Sequence, residues 1–226
     1  MYSATFKSIF VHIPKTGGQS IEQAFLQMHG LAWNERRGLL LGKNRRPDQG
    51  PRRLSHLFAL EYCEFGYVSR KVFASCLKFA TVRNPFDRLV SEYRYRAGKR
   101  ALRFTDFIKS AQRLRDDRHF VPQSKYLLDG AGRVIVDRIL RFETLGSDFE
   151  QISQELFGRS VELSHTNKSA SPMPSREMSA ELADLAYRWY ECDFDLFKYP
   201  TGREYHLFAD RSPTRSPASL EAADLT

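Results

Sequence analysis

Residues 9–22, IFVHIPKTGGQSIE, place a lysine, two glycines and two hydroxyl side chains between a strand-like run and a helix-like run. Such a turn binds anions, because outward-pointing backbone N–H groups and the dipole of the following helix both favour negative charge. Glycines let the backbone come close to an oxyanion, and the lysine adds a full positive charge. We therefore predict a phosphate- or sulfate-binding loop. Its expected binding residues are Lys15, Thr16, Gly17, Gly18, Gln19 and Ser20.

Residues 79–93, FATVRNPFDRLVSEY, form a second segment of this kind. Arg83 stands at the end of a strand-like run, and Ser91 follows in the second turn of a helix-like run. An arginine fork and a hydroxyl together can clamp a second phosphate. Each residue alone also has a plainer interpretation, as an arginine paired with a structural acid and a serine on an exposed helix face.

The first segment is not a Walker A loop, which requires GxxxxGK followed by Ser or Thr. Here Lys15 precedes the glycines instead of following them. Residues 134–137, Val-Ile-Val-Asp, resemble a Walker B strand, but that pattern is weak without its partner. A magnesium-dependent nucleotide kinase or nucleotidase of the P-loop type is therefore a less favoured alternative.

Strand-like and helix-like runs alternate along the chain, which predicts an α/β domain with a mainly parallel central sheet flanked by helices. Within it, the first segment is a P-loop-like strand–loop–helix unit. The domain is expected to span residues 1–209, and the Ser/Pro/Ala-rich residues 210–226 are expected to be a disordered tail. Expected strands are residues 8–13, 78–82, 134–136 and 138–142, and expected helices are residues 20–29, 86–97, 104–114, 148–157 and 176–190.

The composition is that of a globular protein with a net charge of +8 over 226 residues. The positive charge favours anionic partners, although no nucleic-acid recognition motif is present. A non-enzymatic polyanion-binding protein is thus a second alternative. Cys63, Cys76 and Cys192 form no CxxC pair and are expected to be reduced thiols, and no metal-ligand cluster is visible. The apolar run at residues 9–13 is too short for a signal peptide or a membrane span, so we expect a cytoplasmic protein.

Taken together, the two segments resemble the donor-binding motifs of sulfotransferases that use 3′-phosphoadenosine 5′-phosphosulfate (PAPS). PKTGG-x-S resembles the 5′-phosphosulfate motif, and RNPFDRLVSEY resembles the 3′-phosphate motif. The residues of both motifs are similar to those of the carbohydrate sulfotransferase group, which includes heparan 2-O- and chondroitin-type enzymes and bacterial relatives. A thinner likeness continues through His119–Gln123 (HFVPQ), RFE at residues 141–143, HxNxS at 165–169 and DxxxFxY at 193–199.

This resemblance implies the sulfotransferase fold and transfer of a sulfuryl group from PAPS to an acceptor hydroxyl on a carbohydrate or glycan. Adenosine 3′,5′-bisphosphate (PAP) would be the second product, and no metal would be required. Lys15 would stabilise the oxygen that bridges sulfur to the leaving phosphate, while the backbone of residues 17–20 holds the 5′-phosphate. Arg83 and Ser91 would hold the 3′-phosphate.

The transfer also requires a general base. His56 occupies a position resembling that of the catalytic histidine in heparan 2-O-sulfotransferases. His119 is the alternative, as base or as substrate contact. His12 is expected in the core, Glu143 as a structural acid, and Asn167 with Ser169 in a loop over the donor. The basic residues 36–53 and a second basic cluster either bind an acidic sugar or form a solvated surface. That cluster comprises Arg94, Arg96, Lys99, Arg100 and Arg103.

Overall fold

The computed structural model describes residues 1–97, 103–114, 116–163, 180–201 and 220–221. These residues form two compact units. The first contains the described parts of Met1–Val82, Lys125–Asn167 and Ala218–Thr226, and the second contains those of Arg83–Ser124 and Lys168–Pro217. The expected domain boundary at residue 209 falls outside the described residues.

A five-stranded sheet forms the centre of the first unit, in the order β1-β2-β3-β4-β5. The strands are β1 (Tyr2–Ser3), β2 (Ser8–Val11), β3 (Leu77–Val82), β4 (Arg138–Arg141) and β5 (Leu220–Glu221). The three central strands are parallel, and the two-residue edge strands pair antiparallel to them. Because the central strands are parallel, their carboxyl ends share one edge of the sheet. The predicted α/β class with a mainly parallel sheet is confirmed.

Helices occupy both units. In chain order they are α1 (Gly18–Met28), α2 (Glu61–Glu64), α3 (Arg70–Ser75), α4 (Pro85–Ala97), α5 (Phe104–Ala111), α6 (Leu145–Phe157) and α7 (Ala180–Phe197). The first unit contains α1, α2, α3 and α6, and the second contains α4, α5 and α7. None of the described helices is long and apolar enough to cross a membrane.

The core of the first unit explains why the sequences of β2 and β3 are mostly apolar. All of β2 is buried, and Phe10 and Phe79 on the two neighbouring strands are fully excluded from solvent. The inward faces of α1 and α6 contribute Phe25 and Phe149 to the same core. Strands covered on both faces carry no polar alternation, which is why their sequence is so apolar.

The second unit is organised around the start of α4. The side chain of Asn84 accepts a hydrogen bond from Phe86 N at 2.9 Å, so the asparagine caps the helix and Pro85 occupies its first turn. Arg88 is buried, and its guanidinium donates to the carbonyl oxygens of His119 and Val121, each at 3.0 Å. Asn84, Pro85 and Arg88 of the RNPFDR motif thus have local structural roles.

Several expectations about elements were wrong in detail. Residues 134–136 do not form a strand, and Val134 makes only an isolated bridge with Leu128. Of residues 210–226, expected to be a disordered tail, the described residues Leu220–Glu221 form strand β5, and the expectation for the other residues stays a prediction. The basic segment contains 3-10 helices at Trp33–Leu39 and Pro47–Gln49 and an isolated bridge between Lys43 and Arg53.

Candidate functional site

The loop between β2 and α1 is held in an unusual backbone conformation. Lys15 and Gly17 both have left-handed backbones, with φ of 71° and 83°. A left-handed lysine is strained, and such residues persist where the surrounding structure holds them. Thr16 is fully buried, and its hydroxyl donates to Ile13 O at 2.9 Å. The Thr16 hydroxyl, predicted to bind an anion, thus donates its hydrogen inside the loop. Thr16 can still offer its backbone N–H to an anion.

Both glycines of the loop are required by packing. A Cβ atom on Gly17 would lie 2.8 Å from Leu145 Cδ2 and 2.9 Å from Phe142 Cδ2. A Cβ atom on Gly18 would lie 2.3 Å from Cδ2 of His12. The sequence suggested that these glycines allow an anion to approach, and the structure adds that they let the loop lie directly on the side chains beneath it.

Helix α1 presents its amino end at this loop. The first N–H groups of a helix have no intrahelical acceptor, and they carry the positive end of the helix dipole. The first turn of α1 contains no acidic side chain that would neutralise this end. Gln19 is exposed, Ser20 is half-buried, and Ser20 N donates to Gly17 O at 3.1 Å. Together with Lys15, this end of α1 is suited to an anion.

His12, Glu22 and His56 form a buried cluster next to the loop. Nδ1 of His12 lies 2.5 Å from Oε1 of Glu22, and both side chains are nearly inaccessible. The His56 ring packs edge-on against His12, and its Nδ1 lies 3.1 Å from His12 O. Because a carbonyl can only accept, Nδ1 of His56 carries the hydrogen, and the lone pair of the neutral ring is on Nε2. His56 therefore has the tautomer that a general base requires.

Residues 83–93 of the second predicted segment lie in the second unit, and residues 79–82 belong to strand β3 of the first unit. Arg83 follows β3 directly and is half-buried, with its backbone N–H donating to Oε1 of Gln123 at 2.9 Å. Ser91 is buried on α4. The residues that hold Arg83 in place were not predicted, because Gln123 is distant in sequence and only its HFVPQ segment had been noted.

His119 belongs to a charged network along α4. Its Nδ1 lies 2.9 Å from Oε2 of Glu92, while Arg96 contacts Oε1 of Glu92 at 2.5 Å and Asp117 at 3.0 Å. Burial pushes the pKa of Glu92 upward, but the hydrogen bonds and positive charges of His119 and Arg96 outweigh burial and leave that pKa below its ordinary value. Glu92 was not predicted, although its spacing of four residues from Arg96 is a recognised ion-pair signal.

Comparison with known protein families identifies the chain. The model of the sulfotransferase family matches residues 1–200, a range that includes both predicted segments. The chain belongs to the sulfotransferase family. The resemblance drawn from the two motifs is thereby confirmed, and the protein is an enzyme of sulfuryl transfer. No curated protein and no solved structure matched this sulfotransferase.

The aspartate of the Walker B-like run has a structural role in this sulfotransferase. Asp137 precedes β4, so it lies at the amino edge of the parallel strands, opposite to the edge from which the Lys15 loop leaves. Its carboxylate accepts from Lys78 N at 2.7 Å and pairs with Lys78 Nζ at 2.8 Å. This placement argues against the P-loop kinase alternative. The described residues contain no cluster of three or more metal-ligating side chains, and a metal-free reaction stays a prediction.

The remaining predicted residues divide between described and undescribed parts of the sulfotransferase. Glu143, expected to be a structural acid, is exposed, and the buried acid nearby is Asp148, which accepts from Arg141 N at 2.8 Å. In the second basic cluster, Arg96 is ion-paired as described above, and Arg103 is paired with Asp106. The predicted residues Lys99, Arg100, Asn167 and Ser169 lie outside the described residues.

Proposed function

We propose that this sulfotransferase moves a sulfuryl group from PAPS to a hydroxyl of an acidic carbohydrate or glycan, with PAP as the second product. The observation that carries the proposal is the parallel pairing of β2 with β3. Val11 lies beside Ala80 in the register, so the strands that precede Lys15 and Arg83 end at the same edge of the sheet. Two phosphate-binding segments leaving one sheet edge are what a donor with phosphates at both its 3′ and 5′ positions requires.

The residues of the first segment fit the 5′ end of that donor. When bound, PAPS supplies the sulfuryl group, and its transfer leaves negative charge on the former bridging oxygen. The Lys15 ammonium would stabilise this charge, and the backbone N–H groups of residues 17–20 would hold the 5′-phosphate. The close packing of Gly17 and Gly18 fixes this backbone before the donor binds, so little reorganisation is needed during transfer.

Arg83 and Ser91 are proposed to bind the 3′-phosphate. An arginine can present two parallel N–H groups to phosphate oxygens, and a serine hydroxyl can add a third donor. Arg83 is half-buried, which strengthens a charge-assisted hydrogen bond relative to one in open water.

His56 is proposed as the general base. Its Nε2 lone pair would take the proton of the acceptor hydroxyl, while the hydrogen bond from Nδ1 to His12 O fixes the ring. His12 itself packs beneath Gly18, so the base is tied to the segment that carries Lys15. His119 is the alternative base, since the Glu92 carboxylate orients its ring in a comparable way.

The proposed acceptor is acidic because of the segment that leads into His56. Its cationic side chains are exposed, and the same stretch contains only Asp48 as an acid. They are Arg37, Lys43, Arg45, Arg46, Arg52 and Arg53. The 3-10 helix that contains His56, Leu54–His56, begins directly after them. A sulfated or carboxylated sugar chain bound to this surface would therefore lie beside the proposed base.

Calorimetric titration with PAP in the absence of magnesium tests the proposal. We expect binding in the micromolar range, weakened about ten- to a hundred-fold by Lys15→Ala and by Arg83→Ala, because each removes a charged phosphate contact. Lys7→Ala is the matched control for the first variant, since Lys7 is exposed and also left-handed, with φ of 43°. Arg113→Ala, at an exposed arginine, is the control for the second.

The result separates the candidate functions. PAP binding that is weakened in both variants and unchanged in both controls supports the donor site. Binding of ATP with magnesium but not of PAP would overturn the proposal in favour of a kinase. Equal binding of PAP and of unrelated polyanions would favour a non-enzymatic polyanion-binding protein.

A further inference from the structure

Two of the weaker sequence motifs, HFVPQ and DxxxFxY, contribute residues to a buried polar cluster that contacts the Arg83 backbone. Gln123, the last residue of the first motif, and Asp193, the first residue of the second, are both fully buried. The carboxylate of Asp193 accepts from Gln123 N at 2.7 Å and from Ser124 N at 2.8 Å. These contacts join residues about seventy positions apart, and they fix the backbone from which the Gln123 side chain extends.

The Gln123 side chain in turn pairs with the backbone of Arg83. Its Oε1 accepts from Arg83 N at 2.9 Å, and its Nε2 donates to Arg83 O at 2.8 Å. A primary amide thus satisfies both backbone groups of the residue that follows β3, as a neighbouring strand would do. Among the side chains, only an amide offers a donor and an acceptor in this geometry, and asparagine is one methylene shorter.

We propose that Gln123 is a positioning residue for Arg83, held in turn by Asp193, and that this cluster sets the preference of the enzyme for a donor bearing a 3′-phosphate. The inference rests on the proposed function, in which Arg83 binds that phosphate. Side-chain contacts to phosphate are short and directional, so a small displacement of the Arg83 backbone weakens them. The cluster would act on the 3′-phosphate and leave the 5′-phosphate loop unaffected.

The test compares the affinity for PAP with the affinity for adenosine 5′-monophosphate, which lacks only the 3′-phosphate. Calorimetry would be run on the wild type and on Arg83→Ala, Gln123→Ala, Gln123→Glu and Asp193→Asn. Gln123→Glu retains the shape and the acceptor but places a carboxylate against Arg83 O, so it remains informative if the alanine variant fails to fold. Gln151→Ala, an exposed glutamine on α6, is the matched control.

We expect the ratio of PAP affinity to monophosphate affinity to fall about tenfold in the Gln123 variants, with monophosphate affinity unchanged. Asp193→Asn should lower the ratio in the same direction. If the two affinities fall together, Gln123 is only structural and the inference is overturned. A wild type that does not discriminate between the ligands overturns the proposed function itself. Discrimination that is lost in Arg83→Ala but kept in the Gln123 variants overturns the positioning role alone.

Discussion

The imidazole ring of His12 lies against the backbone of Gly18 so closely that a Cβ atom there would come within 2.5 Å of Nε2. The same histidine pairs with Glu22 on α1 and accepts the hydrogen bond of His56 through its carbonyl oxygen. The residue directly after β2 therefore contacts the proposed 5′-phosphate loop, the helix that follows that loop and the proposed base. Changes at these positions should be coupled.

Gly18→Ala should weaken PAP binding at least about tenfold and destabilise the protein by about 1–3 kcal/mol, because the added methyl group overlaps the His12 ring. Calorimetry and thermal unfolding measure the two effects. In a His12→Ala background the methyl group has room, so the same glycine substitution should cost less.

Gly146→Ala is the control for the Gly18→Ala substitution in the wild-type and His12→Ala backgrounds. Gly146 lies in α6, and a Cβ atom there would meet nothing within 4 Å. We expect PAP affinity to be unchanged and stability to rise by about 0.5–1 kcal/mol, since alanine favours helix over glycine. Equal effects of Gly18→Ala in both His12 backgrounds would refute the packing explanation.

His56→Ala should lower the rate of sulfuryl transfer about 10²- to 10⁴-fold, because the variant lacks the group proposed to remove the acceptor proton. PAP affinity should change less than about threefold, since the donor contacts assigned above do not include His56. Transfer from PAPS to heparan and chondroitin acceptors, measured in parallel, gives the rate.

His119→Gln distinguishes the two candidate bases. We expect it to reduce stability, because Glu92 loses a partner, while transfer stays within about tenfold of the wild type. If His119→Gln abolishes transfer and His56→Ala does not, the assignment of the base must be reversed.

The charged network on α4 predicts a pH dependence of stability. The pKa of Glu92 is lower in the folded protein than its ordinary value of 4.5. Ionised Glu92 therefore stabilises the fold above this value, and the contribution is lost as the pH falls through the folded pKa. Glu92→Gln should lower the melting temperature near neutral pH and flatten its decline below pH 4.5.

The control for this measurement is Glu150→Gln, at an exposed glutamate on α6. The pKa of Asp117 is also lowered, since hydrogen bonds and charges from His119 and Arg96 outweigh burial, so part of the decline should persist in Glu92→Gln. A profile of Glu92→Gln that parallels the wild type over the whole acid range would contradict the network as described.

Asp137→Ala should destabilise the protein by about 1–3 kcal/mol, because Lys78 would lose an ion pair and a hydrogen bond from its backbone N–H. PAP affinity, with and without magnesium, should stay as in the wild type. A loss of magnesium-dependent nucleotide binding in this variant would instead restore the Walker B interpretation.

Local patterns were sufficient to predict most elements. The strands β2 and β3 were predicted from their apolar runs, and α6 was predicted as a helix ending at residue 157, where the structure ends it. Residues 134–136 were wrongly predicted to be a strand, because an apolar run of three residues has no periodicity that distinguishes a strand from a buried connection. Helices α2 and α3, of four and six residues, are too short to show a period.

The segments of the proposed site were selected from the sequence, whereas the contacts between its residues could not be. Lys15 and Arg83 could be selected because each follows a strand-like run in a recognisable motif. The hydrogen bond from His56 to His12 and those from residues 123 and 124 to Asp193 join parts of the chain separated by 44 to 70 positions. Such contacts depend on the tertiary fold, and nothing in a local pattern specifies them.

The left-handed backbone of Lys15 creates a trade-off between robustness and activity. Glycine at this position would relieve about 1–2 kcal/mol of strain, partly offset by its greater freedom in the unfolded chain. It would also remove the ammonium group. Directed evolution for heat resistance alone would thus select glycine at residue 15 and lose the proposed catalytic group, whereas the same exchange at Lys7 would raise heat resistance and leave the proposed site intact.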